Sequence, residues 1–431
     1  MRKILAIVFA GGRAEEMSVL TFMRPKSAVI FGGGYRMIDF ALTNLFNTPS
    51  VKNVGILTQY RPYSLVDHVG MGMAWDFMGS SRSIRILPPH LKLSQSEWYR
   101  GTADALFQNI DFLNLYQPDD VLIVSGDHAY SMSYEPLLRF HMEHAADFTL
   151  AVTPVENASR RFGIAEINAE GRIIGYEEKP EYPKTNLASM TVYIFRREVL
   201  VEELKNHARG KTRPKSFHIY DEILPDLIKH RRAFGWIHHG RWDYVRTLDA
   251  YFQAHMSMLG EAPEVDIAAW NVRTNPWSKS APFKSLSRYQ NGAVVRNSII
   301  CGGCHIAGKV EHSVLSPGVK VGRGAVVKNS VLWNDVVVEE GAVVDRVICD
   351  KRCVISKKSF VGWGEKTPPN KELPRSLSCG ASVLGMNVCV PEGIRVGRNC
   401  IIYPNAGGTD FPAKRVPSGT TVRVKKLKKM L

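Results

Sequence analysis

The sequence predicts two architectures in series: an α/β layer with a mostly parallel sheet, followed by a left-handed parallel β-helix. Three observations predict them. Up to about Gly260, short β-branched runs alternate with longer amphipathic stretches, the order that builds βαβ units. Further on, Asn297-Ser-Ile-Ile, His312-Ser-Val-Leu, Asn329-Ser-Val-Leu and Asp345-Arg-Val-Ile recur at intervals of 15, 17 and 16 residues. A short fixed period with Gly or Asn at corners describes stacked hexapeptide coils. Between the two textures, residues 261–291 hold Asn275-Pro-Trp-Ser278 and Ala281-Pro-Phe283 and read as a linker. The expected domains are thus 1–260, a linker over 261–291, and a β-helix with a C-terminal extension over 292–431.

In the first half, Ile4 to Phe9, Asn53 to Thr58, Val121 to Ser125, Phe148 to Val155 and Met190 to Phe195 predict strands. The first run is too short for a signal peptide and is followed at once by Gly11-Gly-Arg-Ala-Glu-Glu16, so it reads as a buried strand. Phe40 to Asn47, Ala103 to Tyr116 and Tyr134 to His144 predict helices. Ligands of such sheets bind beyond the carboxyl ends of the strands. In the second half, Pro317-Gly-Val-Lys-Val-Gly322 and Glu340-Gly-Ala-Val-Val344 supply coil corners. The pattern is interrupted by a Pro- and Lys-rich stretch from Glu365 to Arg375, resumes at Pro391-Glu-Gly-Ile-Arg-Val-Gly397, and ends in a basic tail, Lys425-Lys-Leu-Lys-Lys429.

Composition narrows the function. An apolar fraction of 45% is ordinary for globular chains and excludes a largely disordered one. No apolar run approaches the roughly 20 residues that span a bilayer, which argues against an integral membrane protein. The net charge of +15 favours anionic ligands: nucleotides, sugar phosphates, nucleic acid or acidic lipid. All seven cysteines, from Cys301 to Cys400, lie in the last third. Cys301-Gly-Gly-Cys304 lacks a partner pair at zinc spacing, so these thiols read as small core residues.

The first strand runs into Gly11 and Gly12, and Lys26 follows in Arg24-Pro-Lys26. A Gly-rich turn after a strand offers backbone N–H groups to phosphate, and a lysine adds compact charge. Further stretches extend the pattern: Phe31-Gly-Gly-Gly-Tyr-Arg36, Trp98-Tyr-Arg-Gly-Thr-Ala-Asp-Ala105, Ser125-Gly-Asp-His128, Phe162-Gly-Ile164, Glu177-Glu-Lys-Pro180 and Ala188-Ser-Met190. In this order, with a β-helix behind them, they resemble the ADP-glucose pyrophosphorylase (glucose-1-phosphate adenylyltransferase) family over Ile4 to about Gly362.

The resemblance implies a Rossmann-like nucleotidyltransferase domain that joins ATP to glucose 1-phosphate, releasing pyrophosphate, in the glycogen pathway. It implies that Gly101, Thr102 and Ala103 border the nucleotide base, with Gly11 and Gly12 in the same nucleotide site as its phosphate turn. Asp127 would hold Mg²⁺ and act with Lys26 as the catalytic pair. Lys179 would grip the sugar phosphate, with Glu178, Ser189 and Gly163 contacting the glucose. A cytoplasmic homotetramer under allosteric control, with no nucleic acid or membrane partner, completes the implied picture. Acyl transfer, which β-helices also host, has only His305 and His312 to point to.

The chain departs from the family on the nucleotide side. Where the family has Gly-Gly-Arg-Gly-Thr-Arg-Leu, this chain has Gly11-Gly-Arg-Ala-Glu-Glu-Met17, so Glu16 stands at the arginine. Where the family has Trp-Arg-Asp-Val-Gly-Thr, this chain has Trp242-Asp-Tyr-Val-Arg-Thr247. Tyr244 thus replaces the second metal aspartate, and Asp243, one place early, is the candidate substitute. Arg246 is a candidate for the lost positive charge. Gly34 replaces a lysine tied to effector binding. Replacing a cation by an anion beside phosphates is a swing of several kcal/mol at an effective dielectric near 20. The alternative function is therefore a catalytically impaired, sugar-phosphate-binding subunit paired with an active homologue.

Overall fold

The computed structural model describes residues 2–79, 81–89, 91–92, 95–96, 98–156, 158, 160–208, 216–279, 284, 286–412 and 414–425. The expected basic tail, save Lys425, and the Ala281-Pro-Phe283 part of the linker lie outside these residues. Two compact units emerge: residues 1–12, 38–62 and 70–243 form one, and residues 13–37, 63–69 and 244–431 form the other.

Among the described residues of the first unit, nine strands make one sheet. They are β1 (Ile4–Phe9), β2 (Val51–Leu57), β3 (Ser83–Leu87), β4 (Asp120–Ser125), β5 (Phe148–Pro154), β6 (Gly163–Ile167), β7 (Ile173–Glu178), β8 (Leu187–Arg196) and β9 (Ala233–Ile237). The run β4-β1-β2-β3 is parallel, so the turns after Phe9, Leu57 and Ser125 emerge at one edge. From β8 onward the pairing turns antiparallel, through β6 to β7, and β5 joins β8 to β9. Each predicted strand is present. β1 and β4 are almost wholly buried, as strands covered on both faces must be.

The expected helix from Ala103 to Tyr116 is two helices, Thr102–Gln108 and Ile110–Tyr116. Asn109 breaks it, with its side chain donating to Ala105 O at 2.8 Å and to Tyr99 Oη at 3.0 Å. An asparagine that bonds the backbone locally competes with the helical ladder. Helices Met37–Phe46 and Glu135–Glu143 match expectation within a few residues at each end. Leu5, Ile7, Val121, Ile123, Phe148, Leu150 and Phe195 sit in one apolar cluster with residues of the flanking helices.

Among its described residues the second unit contains a left-handed parallel β-helix with three sheets of six, seven and seven short strands. Lys309–Glu311, Val326–Lys328 and Val343–Asp345 stack in register, as do Val314–Leu315 and Val331–Leu332. The inward positions form columns, such as Val310, Val327, Val344, Val361 and Val396, all fully buried. Corners need left-handed backbone, and Asn297, His312, Asn329 and Arg346 supply it with φ between 42° and 56°. Serine hydroxyls bridge coils: Ser313 N–H donates to Ser298 Oγ and Ser330 N–H to Ser313 Oγ, each at 3.1 Å.

The interruption after Phe360–Val361 is a loop inserted between two faces of one coil. It is fixed, not loose. Asp249, in the first turn of helix Leu248–Met256, accepts from Ser378 and Cys379 N–H groups at about 3 Å. Asn399 donates to Pro368 O at 2.8 Å and accepts from Gly380 N–H at 2.7 Å. Of the cysteines, Cys304, Cys349, Cys353 and Cys400 are buried. Burial pushes the Cys301 thiol up to about 12.

Candidate functional site

Asp127 follows β4 at the carboxyl edge of the parallel strands. Gly126 N–H donates to Phe9 O at 2.9 Å, tying the turn to the end of β1. The Ser125 hydroxyl donates to Asp127 Oδ1, and His128 Nε2 lies 3.4 Å from the same oxygen. The next residues are pinned from behind: Asn44 donates to Tyr130 O at 3.1 Å and accepts from Met132 N–H at 3.0 Å. Asp127 is therefore held from both sides of the turn. Its carboxylate stays about a quarter exposed.

Ala129–Tyr130 pairs antiparallel with Trp242–Asp243, so Trp242 lies opposite Tyr130 and Asp243 opposite Ala129. Trp242 packs edge-on against His128, and its Nε1–H donates to His128 Nδ1 at 3.3 Å. His128 is itself buried in this packing. Neighbouring residues of a strand face opposite ways, so Asp243 points away from that contact. Arg241 grips its carboxylate, Nε at 2.9 Å and Nη2 at 3.1 Å.

Of the four residues assigned to the sugar by resemblance, Gly163, Glu178 and Ser189 lie on β6, β7 and β8, and Lys179 directly follows β7. Gly163 is in register with Glu178, and Ser189 with Val152 of β5. The β5–β8 ladder shifts register between Ala151 and Val152, beside Thr191 with φ 54°. Such a bulge re-aims side chains, and Ser189 Oγ here accepts from Thr191 N–H at 3.3 Å. Lys179 also has positive φ, 50°, fixed by its N–H donating to Phe162 O at 3.0 Å. Its Nζ lies 3.0 Å from Glu178 Oε1.

Gly101, Thr102 and Ala103 open a helix against residues 217–219. Ala103 and Asp104 N–H groups both donate to Phe217 O, at 3.1 and 3.2 Å, and Thr102 Oγ1 accepts from Ile219 N–H at 3.0 Å. A Cβ on Gly101 would stand 2.1 Å from Phe217 O, so only glycine fits this approach. Arg100, next in the motif, donates to Asp104 Oδ1 at 2.7 Å. Gly11 packs against Gln59, and Gln59 Oε1 accepts from Tyr99 N–H at 2.5 Å. The Phe217–Ile219 segment escaped the sequence reading, since no local pattern announces a partner more than a hundred residues away.

Lys26, Glu16, Tyr244 and Arg246 belong to the second unit and cluster there. Arg246 Nε and Nη2 bond Glu16 Oε1 at 2.9 and 2.8 Å, and Nη1 donates to Tyr244 Oη at 3.1 Å. Burial opposes the Arg246 charge, but Tyr244 and Glu16 more than offset it, and its pKa is raised. Buried Lys26 places its ammonium 4.9 Å from the centre of the Tyr244 ring. The positive charge suspected at Arg246 is present, but it is bound to Glu16.

Comparison with known proteins agrees with both units. A nucleotidyl transferase family model matches residues 5–261, and a GlmU-like C-terminal hexapeptide model matches residues 280–376. A protein of Thermomicrobium roseum is 40% identical over 426 residues, covering 98% of each chain. One of Acetivibrio thermocellus is 38% identical over 428 residues, again 98% of each. One of Desulfitobacterium hafniense is 37% identical, over 91% of this chain and 96% of its own. All three carry the name glucose-1-phosphate adenylyltransferase. On the motifs, the paired architectures and this near full-length similarity, the chain belongs to the glucose-1-phosphate adenylyltransferase family of nucleotidyltransferases.

Proposed function

We propose that this protein makes ADP-glucose and pyrophosphate from ATP and glucose 1-phosphate, in glycogen synthesis in the cytoplasm. The observation that carries the reading is the sugar-side cluster. Adjacent strands carry Gly163, Glu178 and Ser189, and Lys179 follows Glu178 and pairs with it, in a chain 40% identical to a protein named glucose-1-phosphate adenylyltransferase across 98% of both lengths. The ammonium of Lys179 suits the phosphate of the sugar, and Glu178 and Ser189 suit its hydroxyls.

The reaction is attack of a sugar-phosphate oxygen on the α-phosphorus, with pyrophosphate leaving. The nucleophile is already an anion, so the protein supplies positioning and charge neutralisation rather than a base. Gly101 to Ala103 would border the base, Gly11 and Gly12 the phosphates, and Lys26 would supply a cation.

Mg²⁺ fits this donor set. It binds through one or two carboxylates together with substrate phosphates and water, and Asp127 offers an accessible carboxylate at a rigid turn. No group of three or more His, Cys, Asp or Glu is placed to hold a metal among the described residues. Asp127 would therefore hold the ion mainly with substrate, and Asp243 would join only after leaving Arg241. When bound, the ion neutralises charge on the reacting phosphates.

The β-helix would serve subunit assembly, as a homotetramer or with an active homologue. Among the described residues, no helix is long and apolar enough to cross a membrane. The test is pyrophosphate release from ATP, Mg²⁺ and glucose 1-phosphate by the purified chain. Turnover that depends on Asp127 supports the proposal. A chain silent alone that stimulates a co-expressed homologue would replace it with the impaired-subunit reading.

A further inference from the structure

Within the sugar-side cluster, Tyr176 has no assigned role. It lies two residues before Glu178 on β7, so both side chains share one face of the strand. Its hydroxyl donates to Glu178 Oε2 at 3.1 Å, while Lys179 holds the other oxygen at 3.0 Å. Each carboxylate oxygen has about two lone pairs, so both oxygens keep capacity for further donors. Ser189 and Tyr193 complete the cluster, each interacting with Tyr176. Burial first, then Tyr193 and Glu178, raises the Tyr176 pKa well above the ordinary phenol value. The hydroxyl is a donor at any working pH.

Gly163 gives the second, independent observation. A Cβ there would sit 1.8 Å from the Tyr176 hydroxyl oxygen and 2.7 Å from Glu178 Oε2. Its missing side chain thus makes room for the tyrosine–glutamate bond. The glycine assigned to glucose contact protects the orientation of the carboxylate.

We infer that Tyr176 is a positioning residue that fixes the Glu178 carboxylate toward the hexose and thereby sets selectivity among sugar hydroxyls. This inference rests on the proposed reaction. A site built to accept from a particular hydroxyl discriminates sharply against the analogue that lacks it, provided the acceptor cannot swing away. With Lys179 alone on Oε1, Glu178 would rotate. With Tyr176 on Oε2 it is held at both ends.

The test is Tyr176→Phe, which keeps the ring packed among its apolar neighbours and removes the hydroxyl, with its bond to Glu178 and its contact with Ser189. The expected result is a KM for glucose 1-phosphate raised about tenfold, the scale of one hydrogen bond to a charged group. KM for ATP and kcat should stay near the parent values. A panel of monodeoxy glucose 1-phosphates gives the second readout. The parent should reject one analogue strongly, and the variant should reject it several-fold less. Equal changes in both KM values, unchanged sugar KM, or an unchanged analogue ratio would overturn the inference. If the parent binds glucose 1-phosphate by calorimetry but makes no ADP-glucose, the reaction proposal falls alone. The inference then stands on tenfold weaker binding by the variant, and equal binding overturns it. A parent that binds no sugar phosphate overturns both.

Discussion

Glu16→Arg is expected to cost stability and to leave turnover no higher, because position 16 already faces a guanidinium. Arg246 bonds Glu16 Oε1 through Nε at 2.9 Å and Nη2 at 2.8 Å, and both side chains are 35% exposed. Unit charges about 4 Å apart interact by about 1 kcal/mol in water and about 4 kcal/mol at an effective dielectric of 20. Exposed pairs measure about 0.2–1 kcal/mol, so partial burial argues for about 1 kcal/mol of attraction. A second guanidinium removes that attraction and adds repulsion of similar size, a swing of about 2 kcal/mol.

Arg246→Gly should cost about 1 kcal/mol, and in that background Glu16→Arg should cost almost nothing more. The two changes are therefore coupled by about 2 kcal/mol, read from urea denaturation of the four proteins. Additivity within about 0.5 kcal/mol would refute the reasoning. So would Glu16→Arg alone raising kcat. Pyrophosphate release gives the functional arm. Glu16→Arg, Tyr244→Asp and Arg246→Gly together restore the family pattern at all three positions and should raise turnover at least about tenfold, because an arginine in such a role is worth orders of magnitude.

Three further outcomes are expected. Asp127→Asn should lower pyrophosphate release by on the order of 100-fold or more while circular dichroism is unchanged, since it removes the charge proposed to hold Mg²⁺ and little packing. Arg24→Met should destabilise the second unit by about 3–5 kcal/mol, because it strands buried Asp350, which Arg24 bonds at 2.7 and 3.1 Å; adding Asp350→Asn should recover part of the loss in thermal melts. His255 is buried, accepts from Gly32 N–H at 3.1 Å, and burial lowers its pKa to about 4. The unfolded imidazole takes a proton near 6.5 and the folded one only near 4, so stability should fall as pH drops through that window by about 1.4 kcal/mol per unit. A His255→Gln variant should show a flatter melting profile over the same range.

The fold was legible because its signals are local. β-branched runs such as Ile4–Phe9 and Val121–Ser125 have few other uses, and the corner residues Asn297, His312 and Asn329 mark each coil by the left-handed backbone they tolerate. Asn109 was less legible, because its helix-breaking bond to Ala105 O competes with a strong apolar period on both sides. The sugar side was visible as motifs, but Tyr176 was overlooked, although its i, i+2 spacing from Glu178 could have shown it. The partners of Gly101 and Asp243 were hidden for different reasons. Phe217 lies far along the chain, and no motif marks Arg241 as the partner of the carboxylate two residues on.

Two departures that look separate in the sequence, Glu16 and Arg246, are one structural event. Taken alone, a glutamate at the arginine position repels phosphate, and that repulsion, with Tyr244 at the second metal aspartate, was the reason to suspect an impaired chain. Paired on one oxygen by two donors, Glu16 and Arg246 sum to zero charge, and a neutral pair repels an anion far less than a bare carboxylate at the same distance. What the chain has lost is a positive charge. It has not gained a negative one. On the proposed function the deficit is then the absence of one stabilising cation, and absence of stabilisation slows a reaction where active repulsion would exclude the substrate. On the same proposal, a slow enzyme follows more directly from this electrostatic balance than a subunit that never turns over.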